Sequence, residues 1–197
     1  MREVELKSVV SDEADARRRL DEAGARLVFE GRLEDRRYDT ATRALGAQDH
    51  VLRVRIYRTP GGARASLDWK GPTGYEDGYK VREELSTHAD DGDALVTILE
   101  RLGYAVTREI ERTIVQYELE GATVRFERYP RMDVLVEVEG APDAIERAIL
   151  VLGMDRAGFT SERLPVFVER FERRTGQRAA LCDRELRGDY RFSAADA

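Results

Sequence analysis

At 197 residues the chain fits one domain, its 42% hydrophobic content is enough for a sizeable core, and its 37% charged content is well above the usual quarter. A net charge of −6 argues against a general nucleic-acid binder, and the single cysteine, Cys182, excludes an internal disulfide and a cysteine-based zinc site. His50 and His88 are too few and too scattered for a His-rich metal centre or a Ser-His-Asp triad; no run approaches roughly 18 apolar residues and a strand pattern begins at once, so neither a membrane span nor a signal peptide is expected, and a cytoplasmic protein is.

Residues 2–10 read as a strand. The stretch "SDEADARRRLDEAG" reads as a helix with Ser11 as N-cap, acids in the first turn and Gly24 as its stop. Residues 26–40 are extended and mixed. Three strands follow at 51–58, 63–71 and 78–86, with "TPGG" and "GPTG" as the turns between them. Residues 90–103 form a capped amphipathic helix, and 112–129 a hairpin turning at Glu120-Gly121. Another strand covers 133–140. Residues 141–154 form a helix with Pro142 near its first turn. A last helix spans 160–176, broken or kinked near Pro165. Residues 177–197 are polar and weakly periodic and are expected to form a loosely held tail behind a domain of residues 1–176.

Short strands interspersed with helices give an α+β class with an antiparallel sheet. Alternate residues of a strand share a face. Glu3, Glu5 and Lys7 therefore oppose Val4 and Leu6; Arg53 and Arg55 oppose Leu52, Val54 and Ile56; Ser66, Asp68 and Lys70 oppose Leu67 and Trp69. Lys80, Arg82 and Glu84 oppose Val81 and Leu85; Arg125 and Glu127 oppose Val124 and Phe126; Glu137 and Glu139 oppose Val136 and Val138. The helices cover the apolar faces. The charged faces are either the wet side of an open sheet or the lining of a sheet curled on itself. Charges segregate by strand, with paired glutamates at 3–5 and 137–139 and paired arginines between them. Carboxylates about 7 Å apart on one face repel unless a cation joins them. Oxygen donors suit Mg²⁺ or Mn²⁺, and neighbouring bases suit a polyanion. Trp69 is expected in the core under a helix. Tyr38, Tyr57 and Tyr79 are read as packing residues rather than base-stacking ones, and His50 and His88 as solvated turn residues. Asp39 either orients a base or caps a strand end, and Lys80 and Arg125 face inward or pair with Glu84 or Glu118.

The E-x-E-x-K stretch Glu3, Glu5, Lys7 resembles the hallmark of the CYTH superfamily, the triphosphate tunnel metalloenzymes. "RRYDT" (36–40), "LRVR" (52–55), "DWKGP" (68–72), "VREEL" (81–85), Arg112 and "LVEVEG" (135–140) are similar to further family elements in the same order, over about residues 1–155. The resemblance implies an antiparallel eight-stranded β-barrel forming a tunnel, with helices outside and a polar interior. It implies Glu3, Glu5, Glu137 and Glu139 as metal ligands, with Glu127 standing where the family usually has Asp. It implies that Lys7, Arg53, Arg55, Lys70, Arg82 and Arg112 hold a triphosphate, with Arg125 beside them, and that Glu3 and Glu5 join these bases in catalysis. Cyclase-like members commonly carry a basic pair two apart on the strand that here has Ile110 and Arg112.

The implied activity is Mg²⁺- or Mn²⁺-dependent hydrolysis of the terminal phosphoanhydride of inorganic triphosphate, thiamine triphosphate or ATP. The alternatives are a class IV adenylate cyclase, making cyclic AMP and pyrophosphate, and a non-catalytic module binding polyphosphate or nucleotide. No nucleic-acid or membrane partner is expected, and a homodimer is left open. Because unpaired carboxylates on one face repel, Glu137→Gln is expected to leave the fold intact.

Overall fold

The computed structural model describes residues 2–193, and side chains from Val4 onward. The chain runs β1 (Arg2–Val9), α1 (Glu13–Glu22), β2 (Arg26–Asp39), β3 (Val51–Thr59), β4 (Gly62–Lys70), β5 (Gly74–Glu76), β6 (Tyr79–Ala89), α2 (Gly92–Arg101), β7 (Ala105–Leu119), β8 (Ala122–Arg128), β9 (Leu135–Gly140), α3 (Pro142–Leu152), α4 (Leu164–Thr175) and α5 (Asp183–Leu186). All strand pairings are antiparallel, in the order β1-β9-β8-β7-β2-β3-β4-β6-β5, and β1 also pairs with β6. That last pairing closes eight strands into a barrel and leaves β5 as a short extra strand on β6. Closure is possible because β6 is shared lengthwise: Tyr79–Glu83 serve β5 and β1, and Glu84–Ala89 serve β4.

Local chemistry sets the element ends. Asp12, rather than Ser11, caps α1 by accepting from the Asp15 N–H at 2.9 Å. Asp91 caps α2 in the same way. Glu120 and Gly121 adopt φ of 46° and 86°, the left-handed pair that a tight two-residue hairpin requires. Asp77 and Gly78, at 50° and 83°, make a second such turn, so "GPTG" leads into β5 instead of turning directly into β6. Pro165 lies in the first turn of α4, where a missing N–H is harmless, so it starts the helix and does not kink it. Residues before it are extended, and Thr160 exchanges both main-chain hydrogen bonds with Lys7 at 2.8 Å.

Three apolar clusters hold the barrel. α1 and α3 cover one outer wall, where Leu20, Ile145, Ile149 and Leu152 pack on Leu6, Tyr117, Phe126, Val136 and Val138. α2 covers another, with Leu99 against Val54, Ile56 and Ala65. Each such side chain contributes about 1.5–3 kcal/mol by leaving water. The third cluster lies at one end of the barrel. Ile110, Tyr129 and Leu135 share the inward parity of Arg112, Glu127 and Glu137, yet they pack against Phe167, Val168 and Phe171 of α4 and against Ala179 and Leu181. α4 and the segment after it therefore fill the β7–β8–β9 side of that end.

The expectation of a loose tail after Gly176 is corrected for the described residues. Ala179, Ala180, Leu181 and Cys182 are buried, Ala180 pairs with Arg131, and Glu185 of α5 is buried beneath the barrel wall. The cause is electrostatic as well as apolar: Arg108 of β7, 2% exposed, donates to Glu185 at 2.7 and 3.3 Å. Trp69 is half-buried rather than in the core, with its ring edge-to-face on His50 at 5.0 Å. His50 is accordingly packed, and His88 lies within β6 rather than in a turn. Tyr38 and Tyr79 are buried packing residues, as expected. No helix among the described residues is long and apolar enough to cross a membrane.

Candidate functional site

The inward faces of the strands line one cavity of about 980 Å³. Every base expected in the site contributes to it: Lys7 from β1, Arg53 and Arg55 from β3, Lys70 from β4, Arg82 from β6, Arg112 from β7 and Arg125 from β8. So do the acids Glu5, Glu127, Glu137 and Glu139. The backbone of Glu3 sits in β1 opposite Arg82, but its side chain lies outside the described residues. The lining is thus the set of charged residues that alternate with the apolar ones along each strand. An open sheet with one wet face is replaced by a closed sheet with a charged interior.

The acids and bases inside are arranged in pairs. Lys7 Nζ lies 2.7 Å from Glu5 and 2.5 Å from Glu137. Lys80, the cross-strand neighbour of Glu5 on β6, also donates to Glu5. Arg125 donates to Glu137 at 2.9 Å and to Gln116 at 3.0 Å. Lys80 and Arg125 therefore face inward and pair with Glu5 and Glu137, not with Glu84 or Glu118. Burial opposes the charged form of Lys7, but Glu137 and Glu5 outweigh it and push the ammonium above its ordinary value. Burial likewise opposes ionisation of Glu137, and Lys7 and Arg125 hold it well below the carboxylate range. Lys80 is lowered, first by burial and then by the nearby charge of Lys7.

A second group is built on arginine. Asp35 of β2 accepts from Arg55 at 2.8 and 3.1 Å and from Arg112 at 3.0 Å, with Arg53 3.6 Å away. Asp68 accepts from Arg53 at 3.1 and 2.7 Å and from Ser86 at 2.7 Å. Glu127 accepts from Arg112 at 2.8 Å and from the Tyr129 hydroxyl at 2.6 Å. Burial raises Tyr129 well above its usual range, and Glu127 beside it adds to the effect. Arg37 also lines the cavity. Burial, with Arg53, Arg112 and Arg108 as like-charged neighbours, lowers it to about 10. That crowding marks a region where an anion is favoured.

Other predicted residues have mixed duties. Lys70 meets Glu84 at 3.0 Å. Arg82 donates to the Gly71 carbonyl at 2.7 Å and the Asp49 carbonyl at 2.6 Å, which ties the loop before β3 to the end of β4. Asp39 accepts from the N–H groups of Thr40, Leu45 and Gly46, so it caps the end of β2. Tyr57 lines the cavity with Arg55 and Arg64 beside its ring. Ile110 lies in the apolar end cluster, and Arg108 turns to Glu185.

Asp35, Arg37 and Asp68 were not singled out from the sequence as site residues. The signal was present: Asp35, Arg37 and Asp39 alternate in "EDRRYD". Reading 26–40 only as mixed extended chain hid it, and a register shift between Arg37 and Tyr38 breaks the alternation at its end.

The carboxylates offer oxygen only, which is the donor chemistry of a hard divalent cation. Glu5 and Glu139 are direct neighbours on β1 and β9, and Glu137 faces Lys7 two residues along. Among the described residues no three carboxylates converge as they stand, since lysine ammoniums hold Glu5 and Glu137. Donor type and adjacency fit a cation that displaces those ammoniums. Glu127 is engaged deeper in the wall by Arg112 and Tyr129, apart from that pair of strands.

Comparison with solved structures places this architecture. A candidate adenylate cyclase from Vibrio parahaemolyticus matches with a TM-score of 0.71 and 20% identity, over 85% of this chain and 97% of that one. The PH1819 protein from Pyrococcus horikoshii OT3 matches with a TM-score of 0.67 and 25% identity, over 82% and 94%. The candidate adenylyl cyclase HpAC1 from Hippeastrum, which has a dominant triphosphatase activity, matches with a TM-score of 0.54 and 14% identity, over 92% and 90%. No curated protein matches the sequence at a significant level. The family model of the CYTH domain matches residues 1–143, which contain all eight barrel strands and every residue of the cavity pairs above, and the chain belongs to the CYTH family.

Proposed function

We propose that the protein is a metal-dependent hydrolase that cleaves the terminal phosphoanhydride of inorganic or organic triphosphates. The observation that carries this reading is the closed interior in which Lys7, Arg53, Arg55, Lys70 and Arg112 face one cavity beside the Glu5, Glu137 and Glu139 carboxylates. The acids occupy part of each guanidinium. Arg112 spends Nε on Glu127 and Nη1 on Asp35, and Arg55 spends Nε and Nη2 on Asp35. Arg55 Nη1 also reaches the Tyr57 hydroxyl at 3.4 Å; the other N–H groups would meet phosphate oxygens, at about 1.5–3 kcal/mol for each charge-assisted bond. Lys7, bonded to both Glu5 and Glu137, supplies a mobile ammonium that a phosphate oxygen can draw away.

Glu5, Glu137 and Glu139, with Glu3 as the fourth acid of the family pattern, would hold the Mg²⁺ or Mn²⁺. When bound there, the ion would polarise the terminal phosphoryl group and lower the pKa of a water. The protein's own part is to neutralise and straighten the triphosphate, which accounts for most of catalysis in phosphoryl transfer. Hydrolysis is preferred over cyclisation because the β7 wall beyond Arg112 turns apolar: Ile110 packs with Tyr129, Leu135 and Phe167, and Arg108 is engaged by Glu185.

The test is product analysis with inorganic triphosphate and with ATP, under Mg²⁺ and under Mn²⁺. Orthophosphate from triphosphate, with little cyclic AMP from ATP, is expected. Cyclic AMP formed faster than orthophosphate would make the protein a cyclase. Neither product would make it a binding module.

A further inference from the structure

We propose that Asp35 is a positioning residue, an internal anion that sets the aim of Arg53, Arg55 and Arg112; this rests on reading the cavity as a triphosphate site. Asp35 is 2% exposed and sits mid-strand on β2, in register with Arg55 of β3 and Ile110 of β7. Among the described residues, its carboxylate is held by arginine side chains. Oδ1 takes Arg55 Nε at 2.8 Å, and Oδ2 takes both Arg55 Nη2 at 3.1 Å and Arg112 Nη1 at 3.0 Å, with Arg53 Nη1 3.6 Å away. Three cations from two strands thus converge on one carboxylate.

A buried acid in that place does two opposing things to a polyanion. It fixes the direction of each guanidinium, which favours a geometry in which several phosphate oxygens are met at once. It also repels the phosphates that those guanidiniums attract. Arg112 and Arg53 have second acids, Glu127 and Asp68, whereas among the described residues Asp35 is the carboxylate that holds Arg55. Loss of the Asp35 charge should therefore leave ground-state binding of triphosphate intact or stronger while it spoils the geometry needed for the reaction. A merely structural buried acid would not separate the two quantities.

The experiment compares wild type with Asp35→Asn, which keeps the shape and removes the charge. Binding of tripolyphosphate is measured by calorimetry without divalent cation, turnover is measured with Mg²⁺, and folding is followed by circular dichroism. The expected result is a dissociation constant equal to or lower than wild type, with turnover reduced about 100-fold, as for a misplacement on the order of 1 Å. Asp35→Glu, which restores charge on a longer arm, should recover part of the turnover and bring affinity back to the wild-type value. Equal turnover in Asp35→Asn, or affinity and turnover falling by the same factor, would overturn the proposal. So would failure of both variants to fold, since Asp35 would then be a folding residue. If wild type itself binds no tripolyphosphate, the functional reading falls and this inference with it. If wild type binds and cleaves it and the variant does the same, only this inference falls.

Discussion

Replacing Glu137 by Gln tests the electrostatics of the interior. A row of unpaired carboxylates would repel, and loss of one charge would then leave stability unchanged or improved. The structure reverses that expectation. Glu137 is 7% exposed and is held by Lys7 at 2.5 Å and Arg125 at 2.9 Å. Gln can still accept one hydrogen bond, but it leaves two buried cations short of their counter-charge. Breaking a buried pair from one side costs about 3–5 kcal/mol. Arg125 keeps Gln116 and Lys7 keeps Glu5, so the lower end, about 3 kcal/mol, is expected. For a chain of this size that is roughly 6–12 °C in melting temperature. The pH dependence has a definite sign. The carboxyl is held well below its ordinary value of 4.5, so its contribution is fully present above pH 4.5 and fades as pH falls through the folded-state pKa. Melting curves of the cation-free proteins at pH 7 and at pH 3.5 read the effect: a wide gap at pH 7 that narrows in acid. Glu137→Gln melting at or above wild type at pH 7 would show that Lys7 and Arg125 do not depend on this carboxylate.

Arg55→Ala should raise the KM for triphosphate roughly 10- to 150-fold through loss of a charge-assisted fork, and it should also lower the melting temperature because buried Asp35 loses its two-bond partner and keeps Arg112 as its nearest cation. Wild-type kinetics in that variant would mean that Arg55 does not touch substrate. Glu185→Gln should lower the melting temperature by about 6–12 °C, by the same reasoning of a cation left buried at Arg108, and should expose the chain near residue 177 to protease; unchanged melting would remove the C-terminal segment from the folded core. Mn²⁺ alone should raise the melting temperature little, because ammoniums already neutralise Glu5 and Glu137. Mn²⁺ with a non-hydrolysed triphosphate analogue at about 100 times its dissociation constant should add about 2.7 kcal/mol, and an equal rise with Mn²⁺ alone would show that the carboxylates are free to bind it.

What the sequence disclosed depended on whether the cause was local. Strand parity is local, because Arg53 and Arg55 must share a face once Val54 and Ile56 are buried under α2. The hairpin at Glu120-Gly121 is local for the same kind of reason, since its backbone angles follow from two residues. Family-ordered motifs then turned parity into a closed barrel, as the β1–β6 pairing bears out. Pairing of charges was illegible, because Glu5 meets Lys80 across 75 positions and Asp35 meets Arg112 across 77. The end of the chain misled for a related reason. Ala179–Cys182 is too short an apolar run to show a period, and the residue that anchors it, Arg108, stands on β7 as one more charge among many.

The paired interior would also constrain how the proposed substrate enters. If every base were free, the barrel would carry a dense positive charge into the folded state and be destabilised by it. If every base were bound as tightly as Arg108 is by Glu185, no edge would be left for phosphate. The cavity lies between these limits by using shared partners. Lys7 divides itself between Glu5 and Glu137, and Asp35 divides itself among Arg53, Arg55 and Arg112. A shared partner is given up in steps, so on the proposed reading a phosphate chain with its cation would take over one contact at a time without leaving a buried charge bare. On the same reading, binding of the anion and of the cation would be linked: drawing Lys7 toward a phosphate would leave Glu5 with Lys80 and Glu137 with Arg125, each with one partner fewer and more open to a metal, and a metal on those acids would free Lys7. The two ligands should bind together more tightly than either binds alone, by the same factor in either order of addition.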